Sequence, residues 1–405
     1  MKFDFTTIYD RRGRDAMAVD AVEKIPVFQP NEGFDAIPMW VADMNFATAP
    51  AVTEAIRKRL EHPLFGYFMT SDEYFDSIIR WQELRNGVTG LEKEHIGYED
   101  GVQGGLMSAL AAVCARGDNV LVHSPTYIGF TRSIENGGYH VITSPLKPDR
   151  YGVQRMDFFD METKIKRNDI RAVVFCSPHN PTGRVWEQEE LEHFMDMARR
   201  LNVTVISDEI WSDLTLRGHR HIPLQSVSDD ARQRTVALYA PSKTFNLAGL
   251  IGSYHIVYNE ALHKRMKKES SLSHYNSMNV LSMHALIGAY SDEGSQWVDE
   301  LREVLTENVK YACRFIRKNL PGVSVQQPEG TYMLFLDCEE HCRSGRGEKG
   351  RLRGRRCVAG RPSLPRGAPH PHESGPAHGE GRHCHGSAEG IRVHLIDLPA
   401  TGFYT

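Results

Sequence analysis

Four short runs along the middle of the chain, residues 119–123, 172–176, 203–207 and 235–239, are rich in apolar and β-branched residues and end in polar or small ones. Their length and composition predict strands buried on both faces. In residues 187–201 the apolar positions Leu191, Phe194, Met195 and Ala198 recur at spacings of three and four, the period of an amphipathic helix. Further on, Trp297, Leu301, Val304, Leu305, Phe315 and Ile316 predict a long helix. That helix leads into a smaller domain whose first strand is expected at 331–336. There is no sign of an internal repeat. Buried strands alternating with helices describe an open α/β sheet, mostly parallel, in which ligands bind outside the carboxyl ends of the strands. The residues just beyond each apolar run are therefore where chemistry is to be sought.

Composition narrows the class further. A chain of 405 residues, 40% hydrophobic, can bury a large core and divide into two domains. A formal charge of -4 gives no basis for attraction to nucleic acid or a membrane surface. The start, Met1-Lys2-Phe3-Asp4-Phe5, carries no signal-peptide run, and no stretch is long and apolar enough to cross a bilayer, so the sequence predicts a cytoplasmic protein. Seven cysteines are scattered, and the pair Cys338 and Cys342 has no second pair to complete a zinc site; no metal ligand is assigned.

Three polar motifs follow the apolar runs. Asn180 lies in Ser177-Pro178-His179-Asn180-Pro181-Thr182-Gly183, Asp208 in Ser207-Asp208-Glu209-Ile210, and Lys243 in Ala240-Pro241-Ser242-Lys243-Thr244-Phe245-Asn246. Taken singly, the first reads as a turn, the second as a helix cap and the third as a surface pair. Their order and their placement after buried strands change that reading. Pyridoxal 5′-phosphate needs an amine for its aldehyde, a carboxylate that keeps its ring nitrogen protonated, and a hydrogen-bond donor for its phenolic oxygen. Lys243, Asp208 and Asn180 match these needs in turn.

On these motifs the chain resembles the fold-type I pyridoxal phosphate enzymes of the aminotransferase class I/II superfamily. The blocks Pro38-Met39-Trp40-Val41-Ala42-Asp43-Met44-Asn45-Phe46 and Phe65-Gly66-Tyr67 are similar to those of its MalY/PatB-type cystathionine β-lyases, or C-S lyases, over approximately residues 1–340. The resemblance implies a large domain, 51–290, built on a mostly parallel, seven-stranded-type sheet flanked by helices. A small α/β domain is expected from the N-terminal segment 1–50 and a C-terminal part beginning at 291–342.

It further implies that the backbone amides of Val102 and Gln103, in the glycine-rich run 101–105, face the cofactor phosphate at a helix N-terminus. Ser242 is expected to add a hydroxyl there. Tyr127 is expected to stack on the cofactor ring, and Tyr67 to reach the phosphate from a neighbouring subunit, making the active site shared in a homodimer. Trp40 and Ala42 are expected to face the substrate. Trp211 stands three residues after the aspartate, where aminotransferases carry tyrosine, and Ile251 eight after the lysine, where they carry arginine. Both departures point away from an aspartate-aminotransferase-like site and are compatible with the lyase group, which releases a thiol, pyruvate and ammonia; the blocks around Trp40 and Tyr67 are what favour that group. The alternatives are an aminotransferase and a catalytically impaired cofactor-binding remnant or regulator.

The C-terminal region breaks the pattern. Residues 343–390 hold 11 Gly, 9 Arg, 5 Pro and 5 His but no Phe, Trp, Tyr, Ile or Met, too little to build a domain core. The bland reading of the tail, 343–405, is a disordered basic segment, but the family needs this region for its small domain, and a shifted reading frame accounts for the composition better. Taking the second and third bases of each codon with the first of the next, residues 371–376 are compatible with Arg-Met-Asn-Leu-Ala-Leu, which resembles the substrate-carboxylate strand of the family. The His383-Cys384-His385 cluster and arginines such as Arg353 and Arg355 are then products of the shifted frame rather than ligands.

Overall fold

The computed structural model describes residues 1–25, 37–272, 276–340 and 391–394. Its twelve strands are β1 (Ile96–Glu99), β2 (Asn119–Ser124), β3 (His140–Pro145), β4 (Lys147–Pro148), β5 (Gln154–Arg155), β6 (Ala172–Cys176), β7 (Thr204–Asp208), β8 (Thr235–Tyr239), β9 (Ser253–Ile256), β10 (Ser324–Val325), β11 (Met333–Asp337) and β12 (Ile391–His394). The helices are α1 (Met17–Lys24), α2 (Pro50–Leu60), α3 (Asp72–Asn86), α4 (Gly101–Val113), α5 (Ile128–Asn136), α6 (Phe158–Arg167), α7 (Gln188–Arg200), α8 (Asp229–Arg234), α9 (Glu260–Leu272), α10 (Val280–Ala289) and α11 (Asp292–Asn319).

Seven strands form one sheet in the order β1-β9-β8-β7-β6-β2-β3. Pairing is parallel from β8 through β3, and β9 alone runs against its neighbours. Successive side chains of a strand point to opposite faces, which explains why these runs are apolar throughout. Val120 and Val122 of β2 join one layer of core with Val102, Leu106 and Ile134, whereas Leu121 joins the other with Phe194 and Trp186. The same alternation divides Val174 from Val173 and Ile206 from Val205. Helices α4, α5 and α9 cover the first face, and α6 and α7 the second.

A third body of core joins the N-terminal segment, the β1–β9 end of the sheet, α10, α11 and β11. Phe5 lies 5.3 Å from Phe46 and 5.4 Å from Trp297, and the backbone amides of Lys2 and Phe3 donate to Glu300 at 2.6 and 3.0 Å. The long helix anticipated from its apolar stripe is α11. Ser291 caps its start, Asp292 and Glu293 occupy its first turn and Arg317 and Lys318 its last, the charge order that suits the helix dipole. The helix expected at 187–201 is α7, with Glu187 as its cap.

Three expectations need correction. The strand placed at 203–207 runs one residue later, so Asp208 is the last residue of β7 instead of following it. The strand placed at 119–123 extends to Ser124. The strand placed at 331–336 begins at Met333, because Thr331 has a left-handed backbone (φ 66°) that a strand cannot accept, and β10 precedes it in the three-stranded sheet β10-β11-β12. The atypical tail, 343–405, with its His383-Cys384-His385 cluster, lies outside the described residues except for β12.

Candidate active site

The parallel strands deliver polar residues to one edge. Ser124 ends β2, Ser177 to Asn180 follow β6, Asp208 ends β7, and Ala240 to Lys243 follow β8. Asp208 is buried, and among the described residues its carboxylate accepts only the Ile210 amide, at 3.1 Å. Burial pushes its pKa up to about 7, helped by the charge of Glu209 and opposed by the Ile210 amide and by Lys243. The amine of Lys243 donates to the carbonyl of Ala42 at 3.1 Å and lies 5.8 Å from the centre of the Trp211 ring. Burial moves the Lys243 pKa below the ordinary lysine range, against the pull of Asp208 and then Asp43. A buried acid and a largely covered amine, each pressed toward its neutral form, therefore stand within electrostatic reach of each other.

Asn180 sits in a loop folded back by Gly183, whose φ of 69° suits glycine. The loop is clamped from behind: Arg184 is buried and pairs with Glu187, Glu190 and Glu329, while the amides of Glu329 and Gly330 donate to the carbonyl of Gly183 at 2.9 Å. The side-chain oxygen of Asn180 is buried without a hydrogen-bond partner among the described residues. An amide fixed so firmly and left unsatisfied marks a place for a ligand.

Helix α4 begins at Gly101, so Val102 and Gln103 lie in its first turn, where amides have no partner within the helix. Asp100, at the cap position, makes no side-chain bond to them. The side chain of Gln103 donates to the Tyr127 hydroxyl at 3.2 Å and accepts from Ser133 at 2.9 Å. Gly129 makes room for this pair, since a Cβ there would collide with both Tyr127 and Gln103. Ser242 is half-buried beside Lys243. Trp211 is fully buried and meets Tyr332 edge-on at 4.7 Å.

The 40–46 block also comes to the lysine. Trp40 donates to the carbonyl of Ala18 at 3.0 Å, Ala42 receives Lys243, and Asp43 pairs with Arg11 at 2.6 Å. Asn246, three residues after the lysine, bonds both the amide and the carbonyl of Met44, at 3.1 and 2.9 Å. Arg11, Asp43, Asn246 and Tyr332 went unread in the sequence. The one carboxylate inside the mostly apolar 37–46 stretch was the available signal for Asp43, while nothing near Arg11 or Tyr332 marks them. Within one chain the structure does not bring Tyr67 to this site: it is fully exposed, and Leu64, Phe65 and Met69 around it are exposed too.

These groups fit pyridoxal 5′-phosphate. Asp208 suits a protonated ring nitrogen, the side-chain NH2 of the firmly held Asn180 suits a phenolic oxygen, the uncapped start of α4 suits a phosphate, and Lys243 suits an aldehyde.

Comparison with known proteins agrees. Residues 36–352 match the family described as aminotransferase class I and II. The chain is 38% identical over 305 residues to cystathionine beta-lyase PatB of Bacillus subtilis, covering 75% of this chain and 78% of that protein. It is 32% identical over 343 residues to protein MalY of Escherichia coli, covering 83% and 84%. The solved structure of the PLP-bound C-S lyase from Staphylococcus hominis superposes with a TM-score of 0.76 at 32% identity, over 85% of each chain.

Proposed function

The chain belongs to the aminotransferase class I and II family, and from that premise we propose that it is a pyridoxal 5′-phosphate-dependent carbon–sulfur lyase of the cystathionine β-lyase kind. The observation that carries this reading is the seat of the lyase-type block on the lysine, with the Ala42 carbonyl 3.1 Å from the Lys243 amine. The substrate is an α-amino acid with sulfur on Cβ, and the products are a thiol, pyruvate and ammonia. Bound pyridoxal 5′-phosphate supplies an aldehyde for the substrate amine and a protonated ring that accepts the electrons left at Cα.

The residues of the chain do the rest. Asp208 holds the proton on the ring nitrogen, and Asn180 fixes the phenolic oxygen. The Val102 and Gln103 amides and the Ser242 hydroxyl hold the phosphate, Tyr127 lies on the ring, and Trp211 packs beside the lysine. Lys243, kept toward its neutral form by burial, takes the Cα proton onto Nζ. Trp40 and Ala42 bound the space for the substrate. Segments 1–50 and 291–342 form a small domain against the large one. A second copy completes the site with Tyr67, and the exposed apolar run of Leu64, Phe65, Tyr67 and Met69 supports that interface.

The deciding experiment measures pyruvate released from L-cystathionine by the purified, cofactor-loaded chain while amino transfer to an oxo acid is followed in the same samples. Pyruvate without amino transfer is the expected result. Amino transfer without pyruvate reassigns the site to a transaminase, and cofactor absorbance with neither product reassigns it to a binding protein.

A further inference from the structure

Asp43 follows the residue whose carbonyl receives Lys243. One of its carboxylate oxygens, Oδ2, is held by Arg11 at 2.6 Å; the other, Oδ1, is buried with no hydrogen-bond partner among the described residues. Leaving a buried acceptor unmatched costs stability, so the free oxygen calls for a donor that arrives during function. The segment is firmly fixed. Asn246 grips Met44 at both backbone atoms, and Arg11 also donates to Asn45 at 2.9 Å. Because Asn246 lies three residues from Lys243, the lysine and the 42–44 segment form one fixed unit.

We propose that Asp43 is a positioning residue for the proton on Lys243: its free carboxylate oxygen receives the ammonium that forms when Nζ takes the Cα proton. This rests on Lys243 being the cofactor lysine. In that step the Cα–H bond breaks and an N–H bond forms. The electron pair left behind becomes the Cα–Cβ double bond as the Cβ–S bond breaks, and the departing sulfur takes the proton from Nζ, which returns neutral. The charged groups bearing on Lys243 are Asp208, from the end of β7, and Asp43, while Arg11 and Tyr332 bear on Asp43. Both carboxylates favour the ammonium, and Arg11 tempers Asp43.

Competitive acetylation of the full chain with trace acetic anhydride, read at Lys243 by peptide mass spectrometry across pH, gives the midpoint at which this amine loses its proton. Asp43→Asn and Arg11→Met break the same ion pair, so a merely structural role moves both midpoints in one direction. The proposal requires opposite directions: down by on the order of one pH unit for Asp43→Asn, and up for Arg11→Met. Midpoints that move together, or do not move, overturn it. If Asp43→Asn does not fold, Arg11→Met decides alone, a rise supporting the proposal and a fall or no change overturning it. Loading with pyridoxal 5′-phosphate must also protect Lys243 from acetylation. An unprotected Lys243 overturns the cofactor reading and this inference with it, whereas a protected lysine with unmoved midpoints overturns the inference alone.

Discussion

Asp208→Asn is expected to stabilise the cofactor-free chain while disabling it. In the folded chain the Asp208 carboxyl is raised from 3.8 to about 7, chiefly by burial. Between those limits the unfolded chain has released a proton that the folded chain still holds. Stability therefore falls as pH rises through the window, and the deficit stands in full above pH 7. A shift of that size corresponds to about 4 kcal/mol, of which about 3 falls between pH 5 and pH 8. Asparagine has the same shape and no charge, so it escapes the deficit. Part of the gain is returned, because the Lys243 ammonium loses a partner, which makes 4 an upper limit. Urea unfolding of both cofactor-free proteins at pH 5 and pH 8 reads the effect as the change in their stability difference. Saturating cofactor should reverse the order at pH 8, since only the carboxylate gains a cationic partner. A stability difference that is the same at both pH values refutes the view of Asp208 as a buried acid awaiting that cation.

Gly183→Ala should destabilise the chain by roughly 2–4 kcal/mol and weaken cofactor binding, because the φ of 69° disfavours a side chain and the new Cβ would lie 2.8 Å from the Gly330 carbonyl oxygen; thermal unfolding and cofactor titration check both. Lys243→Ala and Tyr67→Phe are each expected to be nearly inactive. Mixed and allowed to exchange subunits, they should recover up to about a quarter of wild-type turnover, since each hybrid of a two-fold dimer keeps one intact site; no recovery excludes a shared site. Sequencing the coding DNA across residues 340–390 should reveal an open alternative frame that includes the Arg-Met-Asn-Leu-Ala-Leu string. A repaired chain should then show a much lower KM for an amino acid with cofactor affinity unchanged, because a bidentate arginine for the α-carboxylate returns.

The sheet and the trio were legible because both depend on local pattern. A strand buried on both faces must be apolar throughout, and a residue at its carboxyl end has one place to go, so Asn180, Asp208 and Lys243 could be assigned to one edge from order alone. The rest depends on which distant group a polar side chain meets. Asn246 bonds Met44 across 202 residues, and its left-handed backbone (φ 57°) is a choice that asparagine permits but does not announce. The apolar Tyr332-Met333-Leu334 sequence made Thr331 look like a strand residue. Its amide is instead taken by the Leu214 carbonyl at 2.8 Å, and the left-handed turn that results presents Tyr332 to Trp211.

Burial alone does not distinguish functional from structural carboxylates here, and saturation does. Glu209 is fully buried, yet its oxygens are taken up by His221, Tyr239, Ser207 and the Leu224 amide. Glu99 is matched by His255, Ser108 and Ser270, and Asp213 by Trp81 and Thr244. The oxygens of these three carboxylates are matched within the chain, so they fix strands and helices rather than wait for a ligand. Among the described residues, Asp208 accepts a single amide, while Asp43 and Asn180 each keep a buried oxygen without a donor. All three belong to the ground around Lys243. A folded chain that leaves such groups incomplete is less stable than it could be, and the deficit is removed when a ligand supplies the missing donors and charge. Among the buried carboxylates, unfinished hydrogen bonding thus points to the same location as the motifs, and it adds Asp43, which the motifs alone did not single out.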